Sequence, residues 1–164
     1  MIAIVACDRK WNIGNNGKLL FRIKKDLERF RNMTLGKKIV MGRKTFESLP
    51  GQKALPGREN YVLTRSDTFN AENVHVFHDV DSLIREIGDG DDVVVVGGGE
   101  IYNLLLPYCT TVHMTEVFEL FEGDTQFPEL PLTEWCMGGT YVRKLHHDNE
   151  SGLLYAFLTF HRYR

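Results

Sequence analysis

The chain has 164 residues, 43% of them hydrophobic and 26% charged, with a formal net charge of -2, as expected of one globular domain large enough to bury a core. That balance gives no reason to expect nucleic acid or an anionic membrane as a partner, and no apolar run approaches the ~20 residues of a membrane-spanning helix. Cys7, Cys109 and Cys136 are far apart and lack C-x-x-C spacing, which argues against a disulfide framework or thiolate zinc site and fits a cytoplasmic location.

Ile2 to Cys7 is apolar and β-branched and predicts a buried first strand. It is too short for a signal-peptide core and has no positive segment before it. Asp8 to about Arg22 carries Asn12, Gly14, Asn15, Asn16 and Gly17 with no helical or strand period. A connection of this length is usually a lid or binding loop. Trp11 with Ile13, then Leu19, Leu20 and Phe21, predict that it folds back onto the body.

Ile23 to about Leu35 reads as an amphipathic helix. At about 100° per residue, Ile23, Leu27, Phe30 and Thr34 share a stripe. Asp26 falls on that apolar side, whereas Lys25, Glu28, Arg29 and Asn32 take the solvated one. A carboxylate on a core-facing stripe has to be paired, hydrogen-bonded or neutral. Acids favour a first helical turn anyway, but exposure would serve that purpose better, so Asp26 is a functional candidate.

Ile39-Val40-Met41 predicts a second buried strand, ending in Gly42-Arg43-Lys44-Thr45 and a short helix to about Leu49. This strand–glycine–helix junction suits a phosphate, although it is not a Walker loop. A Pro/Gly loop, Pro50 to Arg58, leads to a strand over Asn60 to Thr64, with Arg65 just beyond. Val74 to Phe77 alternates as a strand. Val80 to Ile87 reads as a helix with Asp79 or Asp81 near its cap.

Val93 to Val96 is a fully apolar run followed by Gly97-Gly98-Gly99, and Glu100 to Leu106 reads as a helix stopped before Pro107. This is a second glycine turn opening a helix. The full G-x-G-x-x-G fingerprint is absent, because Tyr102 stands where its last glycine would be. Thr111 to Phe118 is strand-like, and Glu122-Gly123-Asp124-Thr125 is a turn. Tyr141 to His146 and Leu153 to Arg162 flank Asn149-Glu150-Ser151-Gly152 as a hairpin, with His146-His147 an exposed pair. The expected fold is a single α/β domain over residues 1–164. It has a mixed, mainly parallel sheet of about eight strands, about four helices and an antiparallel C-terminal hairpin.

In open α/β sheets ligands gather at the carboxyl ends of strands. The lid, Gly42 to Thr45, Thr64-Arg65 and Gly97 to Gly99 all fall there. Two glycine–helix junctions plus Arg65 make three anion contacts, which points to a dinucleotide with an extra phosphate, NADPH before NADH. An apolar cleft holding Asp26 suits a flat, largely neutral heterocycle.

Ile13-Gly14 with Asn16-Gly17, Asp26-Leu27 with Phe30, Met41 to Ser48, Leu55-Pro56-Gly57-Arg58, Val96 to Tyr102, Thr115, and Glu122 to Thr125 form an ordered set. In order and spacing the chain resembles dihydrofolate reductase along essentially its whole length. The resemblance implies reduction of 7,8-dihydrofolate to tetrahydrofolate by NADPH in a monomer, and binding of antifolates. It implies that Asp26 is the one ionisable group of the pterin pocket, with Ile4, Ala6, Leu27, Phe30, Leu49, Leu55, Val96, Tyr102 and Thr115 lining it and Arg58 holding the glutamate carboxylate. Ala6, Ile13, Gly42, Arg43, Lys44, Thr45, Leu63, Thr64, Arg65, Gly98, Gly99, Glu100, Ile101 and Tyr102 would surround the cofactor, with a cis bond at Gly97–Gly98 and Glu100 pointing outward. One departure is Leu19-Leu20-Phe21, where the family commonly has Leu-Pro-Trp. Phe21 lacks the indole N–H, and Leu20 the fixed backbone angle, which implies a looser lid. Two other readings are a ribosylaminopyrimidine reductase of riboflavin synthesis and a non-catalytic NADPH-binding module.

Overall fold

A computed structural model describes residues 1–139 and 144–163. In chain order the elements are β1 (Ile2–Cys7), β2 (Asn12–Asn15), β3 (Lys18–Leu19), α1 (Lys24–Thr34), β4 (Lys38–Gly42), α2 (Arg43–Glu47), β5 (Glu59–Leu63), β6 (Val74–Phe77), α3 (Val80–Ile87), β7 (Val93–Gly97) and α4 (Gly99–Leu105). They continue with β8 (Thr111–Val117), β9 (Thr125–Gln126), β10 (Trp135–Met137), β11 (His146–His147) and β12 (Leu154–Arg162). Half of the expected run from Tyr141 to His146, residues 141–143, lies outside the described residues.

Among the described residues, nine strands form one sheet in the order β10-β12-β8-β1-β7-β4-β5-β6, with β11 on β12. The central strands, β8 to β6, are parallel, and β12 pairs antiparallel with β8, β10 and β11. This is the expected mixed sheet with antiparallel strands toward the C-terminus.

Alternation explains why the central strands read as unbroken apolar runs. Ala3, Val5, Cys7, Val40, Val93 and Val95 enter one buried cluster. Ile2, Ile4, Ile39, Met41 and Val94, their chain neighbours, enter another on the opposite face. A sheet buried on both faces needs an apolar side chain at every position. After α3 the chain returns to insert β7 between β1 and β4. A register shift between Val40 and Met41 then sets Gly97 beside Met41, so the two glycine-tipped strands end side by side.

Four expectations change, and one alternative is resolved. The connection after β1 does contain strands: β2 pairs with β3 and with β9. One apolar residue in Asn12–Asn15 is too few to reveal a period, and the partner β9 is remote in sequence. Leu19 is 74% exposed, whereas Phe21 packs on Phe121 with ring centroids 5.5 Å apart, so only part of the second apolar piece folds back. Past α4 the chain tightens into a 3-10 turn over Leu106–Tyr108, so Pro107 sits within that turn. Asp79, not Asp81, caps α3, accepting from the Ser82 N–H at 2.8 Å. Of the His146-His147 pair, His147 is exposed, while His146 is half-buried and stacked on Tyr155.

Candidate active site

Asp26 occupies the first turn of α1, facing the sheet. The Thr115 hydroxyl donates to its Oδ1 at 2.6 Å, and Thr115, only 1% exposed, is in register with Ala6 near the end of β1. Burial pushes the Asp26 carboxyl above its ordinary range, while the Thr115 hydrogen bond and the positive charge of Arg29 act against that rise. Ile4, Phe30, Leu49, Leu55 and Val96 all join the same apolar cluster on this face; Leu27 is half-buried. The result is an apolar wall carrying one carboxylate, suited to a flat ring that presents hydrogen-bond donors.

Arg58 lies at the other end of α1. Its Nη1 donates to Thr34 Oγ1 at 3.1 Å and its Nε to the Pro56 carbonyl at 3.0 Å. Burial and the neighbouring Arg31 lower its pKa. The exposed Arg31 therefore adds a second positive charge here. Asp26 and Thr34 are eight residues apart on one helix, about 12 Å at 1.5 Å per residue. That spacing fits a ligand with a heterocycle at one end and an anion at the other.

The two glycine junctions interlock. A Cβ on Gly42 would lie 3.0 Å from Ile101 Cγ1, and one on Gly98 would lie 3.3 Å from Thr45 Oγ1. Gly97, at φ +119°, faces the Tyr102 ring, where a Cβ would come within 3.4 Å. The Tyr102 hydroxyl donates to the Ile4 carbonyl at 2.6 Å, tying α4 to β1. The Gly97–Gly98 peptide is cis. Neither α2 nor α4 has a side-chain cap at its N-terminus, so first-turn N–H groups at both are open to an anion.

Around this rim, Leu63 is in register with Gly42, and Thr64 Oγ1 accepts from the Ser66 N–H at 3.1 Å. Arg65 Nη2 lies 3.1 Å from Glu100 Oε1, which brings the Arg65 charge to the start of α4. Glu100 is exposed, as expected. Arg43 reaches back to Glu47 at 2.8 Å, and Lys44 is exposed. Gly99, Ile101 and Tyr102 are buried, Ala6 is half-buried, and Ile13 packs on the opposite cluster. Uncapped N–H groups, two threonine hydroxyls and nearby cations fit an anionic dinucleotide.

Sequence reasoning missed the anchor of the lid. Asp8 is fully buried. Its carboxylate accepts from the N–H groups of Lys10, Asn12 and Phe121 at 2.8, 2.9 and 3.0 Å and from Asn12 Nδ2 at 2.9 Å. Burial opposes ionisation, but these hydrogen bonds prevail and hold its pKa below the ordinary value. Asp124 Oδ2 accepts from the Asn16 N–H at 2.8 Å, so the turn expected at Glu122 to Thr125 clasps the lid. The local hint was an Asp ending a buried strand with Asn four residues on; the partner Phe121 has none.

A sequence model of the family described as dihydrofolate reductase matches residues 1–162. Among similar proteins, the dihydrofolate reductase of Staphylococcus haemolyticus is 34% identical over 161 residues, 98% of this chain and 95% of that one. That of Mycobacterium leprae is 36% identical over 154 residues, 92% of this chain and 90% of that one. The solved dihydrofolate reductase from Enterococcus faecalis, complexed with NADP(H) and RAB-propyl, superimposes with a TM-score of 0.87 at 33% identity. The alignment covers 99% of this chain and 96% of that one.

Proposed function

The chain belongs to the dihydrofolate reductase family, and from that premise we propose that it is the oxidoreductase reducing 7,8-dihydrofolate to 5,6,7,8-tetrahydrofolate with NADPH, for one-carbon metabolism. The observation that carries the reading is the half-buried Asp26 carboxylate, held at 2.6 Å by Thr115 within the apolar wall of Ile4, Phe30, Leu49, Leu55 and Val96. As a carboxylate, Asp26 accepts hydrogen bonds from the pterin amino group and ring nitrogen and favours the protonated, more electrophilic substrate. Leu27, Ala6, Tyr102 and Thr115 complete the wall, and antifolates bind against it. Arg58, its fork held by Thr34 and Pro56, takes the glutamate carboxylate, a bidentate task suited to guanidinium.

NADPH supplies the hydride. Gly42 to Thr45, Leu63 to Arg65 and Gly98 to Tyr102 hold its phosphates and ribose along the interlocked junctions, with Ala6 and Ile13 at the nicotinamide end. The chain's main work is positioning and exclusion of water. Phe21 contributes to the second by anchoring the end of the lid on Phe121 without an indole N–H.

Residues 1–164 act as one domain and as a monomer in this reading. A cytoplasmic setting is supported by the free thiols of Cys7, Cys109 and Cys136. Among the described residues no helix is long and apolar enough to cross a membrane.

The test is loss of the NADPH absorbance band with two candidate substrates. Oxidation of NADPH by dihydrofolate and none by the ribosylaminopyrimidine supports the proposal; the reverse selects riboflavin synthesis. Binding of NADPH and methotrexate with no turnover would make the chain a binding module.

A further inference from the structure

Helical periodicity puts Arg29 on the solvated side of α1, yet its side chain turns back toward the sheet. Its Cζ lies 4.4 Å from the centroid of the Phe157 ring on β12, and its Nη1 is buried without a hydrogen-bond partner among the described residues. Phe157 stands opposite Thr115 across the β8–β12 ladder, and Thr115 is the donor to Asp26. A ring and a hydroxyl that are sheet neighbours thus hold a cation and a carboxylate one helical turn apart against the same wall. Packing alone does not favour an arginine here. An apolar side chain would fill the space without desolvating a charge or stranding a donor.

We propose that Arg29 is a positioning residue for dihydrofolate reduction, a fixed positive charge that keeps Asp26 ionised and sets the pH at which the carboxylate–pterin pair releases its shared proton.

The inference rests on the reading of Asp26 given above. Other titratable groups surround this wall. On β8, burial, aided by the charge of Arg29, pushes His113 down to about 4. Burial raises Tyr155 on β12 and Tyr102 on α4. His146 on β11 stacks on Tyr155 and tilts against Phe157. On α1 itself Lys25 is paired with Glu28 in solvent. Arg29 lowers the Asp26 pKa that burial raises, and Asp26 in return opposes the fall that burial imposes on Arg29. A nearby positive charge weakens proton binding whether the shared proton sits on the carboxylate or on the pterin, so removing that charge must raise the apparent pKa.

The experiment is the pH dependence of hydride transfer, followed by stopped flow in wild type, R29M, R29Q, R29K and D26N. R29M is expected to move the alkaline midpoint up by about 0.5–1 unit, the low end for an opposite charge in a partly solvated site. R29Q, which keeps a planar amide over Phe157, repeats the shift if R29M folds poorly, and R29K keeps the wild-type midpoint because it keeps the charge. A second reading is the carboxyl carbon shift of Asp26 in the unliganded protein, whose titration rises with R29M or R29Q. If these variants lose thermal stability but titrate and turn over with the wild-type midpoints while D26N loses hydride transfer, Arg29 is packing only and the reading of Asp26 survives. If D26N keeps the wild-type profile, the reading of Asp26 falls and this inference with it.

Discussion

Thr115 Oγ1 and Asp26 Oδ1, 89 residues apart in the chain, meet at 2.6 Å, and that contact joins the helix carrying the proposed functional carboxylate to the strand beneath it. The hydroxyl partly offsets the effect of burial on the carboxyl. Thr115→Val removes the donor, so the Asp26 pKa rises and less carboxylate is present near neutrality. A hydrogen bond to a charged group contributes about 1.5–3 kcal/mol, so methotrexate should bind roughly 10- to 150-fold more weakly at pH 7. Thr115→Ser should stay near wild type. Fluorescence titrations at several pH values check both, and an unchanged Kd in Thr115→Val would remove the hydroxyl from the site.

Asp26→Asn should separate activity from stability. Hydride transfer at pH 7 should fall by about 100-fold or more, with part of the loss recovered in acid, where solvent protonates the substrate. The folded-state pKa of Asp26 lies above its ordinary value of 3.8, so the folded protein binds more protons than the unfolded chain in that window. Its stability therefore falls as pH rises through the window, a penalty the neutral amide does not carry. The variant should melt higher than wild type at pH 7, by roughly 2–4 °C for each kcal/mol relieved. The difference should shrink below pH 4. Calorimetry at the two pH values reads it, and a lower Tm for the variant at pH 7 would contradict the sign.

Gly97→Ala tests the proposed cofactor wall. The residue has φ +119°, and its new Cβ would meet the Tyr102 ring at 3.4 Å, the ring whose hydroxyl is bonded to Ile4. A non-glycine residue in such a region costs about 1–3 kcal/mol. A lower Tm and a raised Kd for NADPH are expected together, because the turn strained by the new side chain is also the proposed cofactor cradle. Gly42→Ala should be milder. Its φ is -80°, and only the Ile101 side chain must give way.

Asp8→Ala strands four donors: the N–H groups of Lys10, Asn12 and Phe121 and the Asn12 amide. Each buried unpaired donor costs about 1–3 kcal/mol, so a loss of about 3 kcal/mol or more is expected in urea unfolding. Because the folded-state pKa of Asp8 is depressed, its contribution is present above the unfolded pKa and lost as pH falls through the folded one. Asp8→Asn should therefore flatten the acid limb of the stability curve. Faster backbone hydrogen exchange in Asn12–Asn15 would report release of the lid.

Much of the candidate site's placement was legible in the sequence, because strand-end glycines and a carboxylate on an apolar helix stripe are local signals. Asp26 faced the sheet as its spacing required, and the junctions at Gly42 and Gly97 came together at the carboxyl ends of adjacent strands. Arg29 was not legible. Its angle on the helix places its Cα, but a long side chain can turn back to an aromatic ring supplied by residue 157. The lid strands were hidden for a related reason, since Asn12–Asn15 gains strand geometry from pairing with Thr125–Gln126 rather than from its own alternation.

The sequence by itself determined the mixed α/β class, the two-sided burial of the central strands, the position of Asp26 and the order of motifs that marks the family. All of these depend on residue type and spacing within a few turns or strand steps. Only the tertiary structure decided that Thr115 holds Asp26, that Phe157 holds Arg29, and that Phe121 closes the lid through Asp8. Those pairings are set by sheet register and by which strand lies beside which, and neither leaves a trace in local periodicity.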